Sequence, residues 1–239
     1  SGGEPLLHKE FIEVLKTIKR HGGEIITLTT NGLLVDSQLL DEIERLNFKR
    51  FVLSISMDSI HEDEHDSFRN RAGSFRGVLN SLSLASRRKW IKTAVKISLR
   101  PNQIPQIEAI TDFAHKLGCS FCSFSSIIPF GRSTGKSCLF MNQLEKMCFL
   151  SEIVRLSGKY KDMSVETNDP LAYLIGCKKN GGKEEDFSEE IMIVDGCPAA
   201  LTAFNVSANG DITPCAFLPI PIMNIFSLSV DEIIVAIKL

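Results

Sequence analysis

Three short polar clusters stand at the ends of apolar runs. Ser1-Gly2-Gly3-Glu4-Pro5 is followed by Thr29-Thr30-Asn31-Gly32 and then by Ser54-Ile55-Ser56-Met57-Asp58. Each supplies hydroxyls, amides or a carboxylate at the C-terminal edge of a strand, where a parallel α/β sheet builds its ligand site. Gly2 and Gly3 let backbone approach a ligand closely, and Glu4 offers a carboxylate to an ammonium group. Arg100 ends the next apolar run and has the fork geometry for a bidentate grip on a carboxylate. Taken singly, Gly-Gly-Glu-Pro is also an ordinary turn, and Arg100 before Pro101 an ordinary surface residue.

A second set of residues carries metal-site chemistry. Cys197 and Cys215 flank the turn Ala208-Asn209-Gly210, which returns the chain and brings two thiolates toward one point, as an iron-sulfur cluster or zinc ion requires. Two cysteines make half a site, and Cys177 is a third candidate. Cys119-x-x-Cys122 has ligand-like spacing, yet both residues open an apolar strand and read as packed core thiols. His65 follows the loop after Asp58 and reads as a structural hydrogen-bonding group; His8, His21 and His115 fall on helical stretches. No Ser-His-Asp arrangement, P-loop or dinucleotide fingerprint can be traced.

The elements that position these residues alternate in period. Leu7, Phe11, Leu15 and Ile18 share a helical face that stops at Gly22-Gly23, and Ile25 to Thr29 reads as a strand. Asp36 caps a helix carrying Leu39, Leu40, Ile43 and Leu46, before a strand from Phe51 to Ser56. Ser74 caps the next helix, with Val78, Leu79, Leu82 and Ala85 inward, and Ala94 to Leu99 follows as a strand. A helix bearing Ile107, Ile110, Phe113, Ala114 and Leu117 leads to a strand from Ser120 to Ile128. Strands joined by such helices make a parallel sheet, four strands by this reading, and a further helix spans Met141 to Leu156. From Asp169 the texture turns polar and reads as a linker, and a hairpin module begins near Ile191.

The bulk properties exclude several function classes. The 239 residues are 44% apolar, enough for a sizeable core, and 27 basic against 29 acidic residues leave a formal charge of -2, with no field to attract nucleic acid or an anionic membrane. Arg87-Arg88-Lys89 reads as a solvated helix end. No membrane span or signal peptide is present in the pattern, and seven scattered cysteines argue against a disulfide framework, so the chain reads as cytoplasmic. It begins in a loop and stops without a helix cap, so both ends read as cut.

Together these residues resemble the radical S-adenosylmethionine (SAM) superfamily, in particular members with a SPASM-type auxiliary cluster domain. The resemblance is carried by Gly2-Gly3-Glu4-Pro5-Leu6-Leu7, Thr29-Thr30-Asn31-Gly32, Ser54-x-Ser56-x-Asp58, His65-x-x-x-Arg69 with Gly73-Ser74-Phe75, Pro129-x-Gly131-Arg132, and Cys197-x12-Gly210-x4-Cys215. It implies an α/β fold, a partial (β/α)6 TIM-like barrel without its first strands over 1–168. A linker at 169–190 and a truncated auxiliary-cluster module at 191–239 would follow.

The resemblance also implies cofactors and roles. Gly3 and Glu4 would meet the amino group of S-adenosylmethionine, with Gly2 in the same turn. Thr30, Asn31, Ser56, Asp58 and Arg100 would approach its ribose and carboxylate, and Gly131 its adenine. A 4Fe-4S cluster would cleave this cofactor to a 5'-deoxyadenosyl radical that abstracts hydrogen from a peptide, protein or small precursor, fed by a flavodoxin or ferredoxin. Cys197 and Cys215, with Cys177, would belong to an auxiliary 4Fe-4S cluster. The C-x3-C-x2-C loop that holds the reactive cluster in this family is absent from these residues, so the chain by itself is expected to make no radical. A non-catalytic adenosyl- or peptide-binding module is the competing expectation.

Overall fold

The computed structural model describes residues 3–169, 171–172, 199–200, 203–229 and 232. The chain divides into two compact units, Glu4–Asn180 and Gly181–Leu239 with Ser1–Gly3, a division that falls inside the expected linker.

In the larger unit β1 (Ile25–Thr30), β2 (Arg50–Ser56), β3 (Ile91–Leu99), β4 (Phe121–Ser126) and β5 (Ser164–Thr167) form one five-stranded sheet. Every pair is parallel and the spatial order is the chain order. A doubly wound sheet reverses order at a switch point; this one does not, which is the winding of a barrel left open. The crossovers carry α1 (Phe11–Arg20), α2 (Ser37–Glu44), α3 (Glu62–Arg69), α4 (Ser74–Ser86), α5 (Ile107–Lys116) and α6 (Gln143–Leu156). The fifth strand escapes the sequence reading because Val165 is its only buried residue, and one apolar side chain sets no period.

Alternation along the strands separates a packing face from a polar one. Phe51, Leu53, Ile55, Val95, Ile97, Leu99, Cys122 and Phe124 join one core cluster with Leu40 and Ile43 of α2 and Val78, Leu82 and Ala85 of α4. Burying each large side chain contributes about 1.5–3 kcal/mol. Ser54, Ser56, Lys96, Ser98 and Ser123 alternate with them and therefore point to the other face.

The helix ends show where local chemistry was legible. Asp36 caps α2 as expected, its Oδ1 accepting from Leu39 N at 2.8 Å. Leu7 departs from expectation: Pro5–Leu7 is a separate 3₁₀ turn, α1 starts at Phe11, and Leu7 is 71% exposed. Ser74 is not the cap of α4 either. Gly73 holds that position at φ +77°, and Asp66 of α3 satisfies the open end through Gly73 N (2.5 Å), Phe75 N (2.8 Å) and Ser74 Oγ (2.8 Å).

In the smaller unit β6 (Asn205–Val206) and β7 (Asp211–Thr213) make the expected hairpin, and β8 (Met223–Asn224) adds an antiparallel third strand. Gly210 takes the left-handed conformation at φ +81°. No helix among the described residues is long and apolar enough to cross a membrane.

Candidate functional site

Glu4 reaches from the first turn to the end of β1. Its Oε1 accepts from Thr30 Oγ1 at 2.6 Å and from Leu6 N at 3.3 Å, and its Oε2 accepts from Asn31 N at 2.8 Å. Thr30 Oγ1 in turn accepts from Gly32 N at 3.1 Å, and Asn31 Oδ1 from Leu33 N at 2.9 Å. The carboxylate thus fixes the loop after β1, with acceptor capacity left over for a ligand.

Asp58, just beyond β2, is fully buried and organises the next strand ends. Its backbone N–H donates to His65 Nδ1 at 3.2 Å, its carbonyl accepts from Gln103 Nε2 at 2.7 Å, and its Oδ1 accepts from Ser98 N of β3 at 3.4 Å. Arg69 Nε lies 2.5 Å from Oδ2. Because Nδ1 accepts, the proton of His65 sits on Nε2, and burial holds the imidazole below its ordinary value against the pull of the Asp58 carboxylate. The His65-x-x-x-Arg69 spacing is explained: one helical turn sets both side chains beside the same aspartate.

A cavity of about 500 Å³ opens over this edge. Asn31, Asp58 and Ser98 line it from three strand ends, His65 and Arg69 from α3, and Ser133 and Lys136 from the loop after β4. Its size suits a small molecule. Of the expected residues, Asn31 and Asp58 line it. Thr30 is buried and engaged by Glu4, while Ser56 ends β2 half-buried, and neither lines the cavity. Gly131, at φ +61°, begins the 3₁₀ turn Gly131–Ser133 that brings Ser133 there. Arg100 lines a neighbouring cavity instead. Gly3 has φ +74°, and Gly2 lies outside the described residues.

Sequence reasoning missed Ser98, Gln103 and Lys136. Ser98 had a signal, the period-two alternation of β3 with its polar face; Gln103, in a 3₁₀ segment after Pro101, had none.

Over residues 1–114 the chain matches the Radical SAM superfamily. The match spans 114 of the 239 residues. The chain is 24% identical over 234 residues to the AdoMet-dependent heme synthase of Methanosarcina barkeri, covering 94% of this chain and 64% of that protein. It is 24% identical over 235 residues to the antilisterial bacteriocin subtilosin biosynthesis protein AlbA of Bacillus subtilis, covering 98% of this chain and 47% of AlbA. The crystal structure of Streptococcus suis SuiB bound to precursor peptide SuiA superposes with a TM-score of 0.69 at 16% identity, over 97% of this chain and 52% of that one. The chain therefore spans about half to two thirds of these proteins, and the likeness to SuiB is one of fold.

The cysteines of this chain sort by burial. Cys119 and Cys122 are packed in the core, where burial pushes the Cys119 thiol up to about 12 and raises that of Cys122 as well. Cys215, half-buried at the end of the hairpin, accepts from Phe217 N at 3.3 Å through its Sγ. Cys177 and Cys197 lie outside the described residues. Among the described residues no three His, Cys, Asp or Glu side chains gather as a metal site.

Proposed function

We propose that the cavity over Asp58 binds S-adenosylmethionine and that this chain is the cofactor-binding part of a radical SAM maturase. The single observation behind this reading is the convergence of Asn31, Asp58, Ser98 and the Ser133 loop on one polar cavity at the C-terminal edge of a barrel-wound sheet. The donor set fits the cofactor's polar ends. The Asn31 amide and the Ser98 and Ser133 hydroxyls suit a ribose or carboxylate, with Arg69 and buried Asp58 holding that edge in shape. Glu4, through its unused lone pairs and those of the turn it fixes, suits the ammonium. Gly131 gives close backbone approach on the adenine side, and Gly2, Gly3, Thr30 and Ser56 support the same rim.

When bound and reductively cleaved, the cofactor supplies the oxidant for hydrogen-atom abstraction. Residues 1–239 contain no C-x3-C-x2-C loop for the reactive 4Fe-4S cluster, so no step is assigned to it. Cys197 and Cys215, with Cys177, are the ligands proposed for an auxiliary cluster. A peptide substrate is favoured by AlbA, a bacteriocin biosynthesis protein, and by SuiB with its precursor peptide; the heme synthase keeps a small precursor in view. A flavodoxin or ferredoxin as electron donor and a cytoplasmic setting belong to the same proposal.

The cysteine spacing favours one other reading, an adenosyl-binding module without chemistry. Equilibrium dialysis of the chain against S-adenosylmethionine tests the cavity: saturable uptake that Asn31→Ala and Ser98→Ala each weaken is expected, and no uptake overturns both readings. Release of 5'-deoxyadenosine after anaerobic reconstitution with iron and sulfide, by a protein in which a C-x3-C-x2-C segment precedes this chain, separates them. A protein that takes up iron and cofactor yet releases none belongs to the second.

A further inference from the structure

Beside the first cavity lies another, of about 540 Å³, lined by Arg100, Pro101, Asn102, Cys138, Leu139 and Glu145. Leu139 lines both and is the residue they have in common.

Arg100 is set in place before any ligand arrives. Its Nε donates to Gln103 Oε1 at 3.0 Å, its backbone N–H donates to the same oxygen at 3.1 Å, and its guanidinium lies 4.7 Å from the centroid of the Phe68 ring. Gln103 is fully buried and anchored on the Asp58 carbonyl. The Arg100 side chain is only 17% exposed, yet its Nη groups make no hydrogen bond among the described residues. The closest carboxylate oxygen among those residues, Glu64 Oε2, stands 3.9 Å from Nη2, beyond hydrogen-bonding distance. Glu145 forms no ion pair with Arg100 among the described residues, and its Oε2 is taken by Asn142 N at the start of α6. A covered, pre-oriented guanidinium with a free donor edge is a carboxylate receptor, and its rigidity removes much of the ordering cost of binding.

Resting on the reading of the first cavity as the cofactor pocket, we infer that the second is a substrate subsite in which Arg100 anchors a carboxylate of the molecule being modified. A substrate held there would extend past Leu139 toward the cofactor. Arg100 thereby moves from the cofactor, where the family resemblance puts it, to the substrate.

Cys138 supplies the reporter, since it lines the same cavity, while Cys148 is exposed on α6 outside it and Cys119 and Cys122 are buried. Alkylation of each thiol by iodoacetamide in the full chain is followed by mass spectrometry with added glutarate, N-acetyl-trialanine or N-acetyl-trialanine amide. Both carboxylates should slow Cys138 and spare Cys148, while the amide protects neither. Arg100→Gln and Arg100→Lys should each raise the protecting concentration by about tenfold, the lysine keeping the charge but losing the fork. Unreactive Cys119 and Cys122 certify that a variant is folded. The peptide acid acting at lower concentration than glutarate supports a peptide carboxylate; the reverse supports that of a small precursor. Equal effects of acid and amide, or no protection, overturn the inference. So does weaker S-adenosylmethionine binding by Arg100→Gln, which would return Arg100 to the cofactor. Failure of the unsubstituted chain to bind S-adenosylmethionine sinks the cofactor reading instead, and leaves the thiol result to decide whether Arg100 binds carboxylates.

Discussion

Arg69 Nε stands 2.5 Å from Asp58 Oδ2, and the aspartate it neutralises is fully buried while its own side chain is one third exposed. Asp58 Oδ2 makes no other polar contact among the described residues, so the guanidinium alone offsets the desolvation of that oxygen. Arg69→Met should lower stability by about 3 kcal/mol, as expected when one member of a buried pair is removed. Urea denaturation measures it. Asp58→Asn in the same chain should recover part of the loss, because no uncompensated charge then remains; a double variant no more stable than Arg69→Met would contradict this.

His65 gives the edge a pH dependence with a definite sign. Its folded-state value lies below the ordinary 6.5 because burial disfavours the imidazolium. The unfolded chain therefore takes up a proton before the folded one does, so stability is full above 6.5 and declines as the pH falls from there to the folded value. The urea midpoint should drop as the pH is lowered from about 6.5. His65→Gln, which keeps an acceptor for Asp58 N, should flatten this slope; an unchanged slope would place the proton uptake elsewhere.

Asp66 governs a separate, more acidic window. Burial pushes its carboxyl up, but the bonds from Phe75 N, Ser74 Oγ and Gly73 N outweigh this and hold it below the ordinary 3.8. Its contribution is present above 3.8 and is lost as the pH falls through the folded value. Asp66→Ala should lower the urea midpoint at neutral pH and abolish the steepest part of the acid limb. Protection of α4 amides from hydrogen exchange is the local readout.

Gly210 makes the prediction for the smaller unit. At φ +81° any side chain is strained, and a Cβ there would sit 2.5 Å from the Phe226 ring. Phe226 is largely exposed and can swing away, so the backbone conformation dominates. Gly210→Val should destabilise the hairpin by about 1–2 kcal/mol and Gly210→Asn by less, because asparagine visits this region more readily. Limited proteolysis at the turn ranks the variants, and equal behaviour of the two would discount the strain.

Much of this arrangement was legible because it depends on short-range chemistry. The inward faces of α1, α2, α4 and α5 follow from 3.6-residue spacing, and Asp36 and Gly210 from their local conformations. Parallel order follows from strand-helix alternation. What stayed hidden depends on contacts distant in sequence. Asp66 displaces Ser74 as the cap of α4 from eight residues away, Gln103 reaches back 45 residues to the Asp58 carbonyl, and Arg100 turns out to serve a cavity apart from Asn31 and Asp58. Polar strand ends announce an edge, but not how that edge is divided between neighbouring cavities.

Glu4 tests whether a motif residue acts by touching a ligand or by shaping the loop around it. Its two oxygens already take bonds from Thr30 Oγ1, Leu6 N and Asn31 N, so the carboxylate sets the position of Asn31 in the cavity wall. Glu4→Gln keeps the size but turns an acceptor into a donor facing N–H or O–H groups. S-adenosylmethionine affinity should fall by about 1.5–3 kcal/mol, the range for a charge-assisted bond. Thr30→Val removes the hydroxyl that steers Glu4 and accepts from Gly32 N, on a buried side chain that does not line the cavity. If Glu4 works through the loop, Thr30→Val weakens binding in parallel and the double variant is little worse than either single one. An additive double variant, or Thr30→Val with undiminished affinity, would show instead that the carboxylate meets the ligand independently of the hydroxyl that holds it.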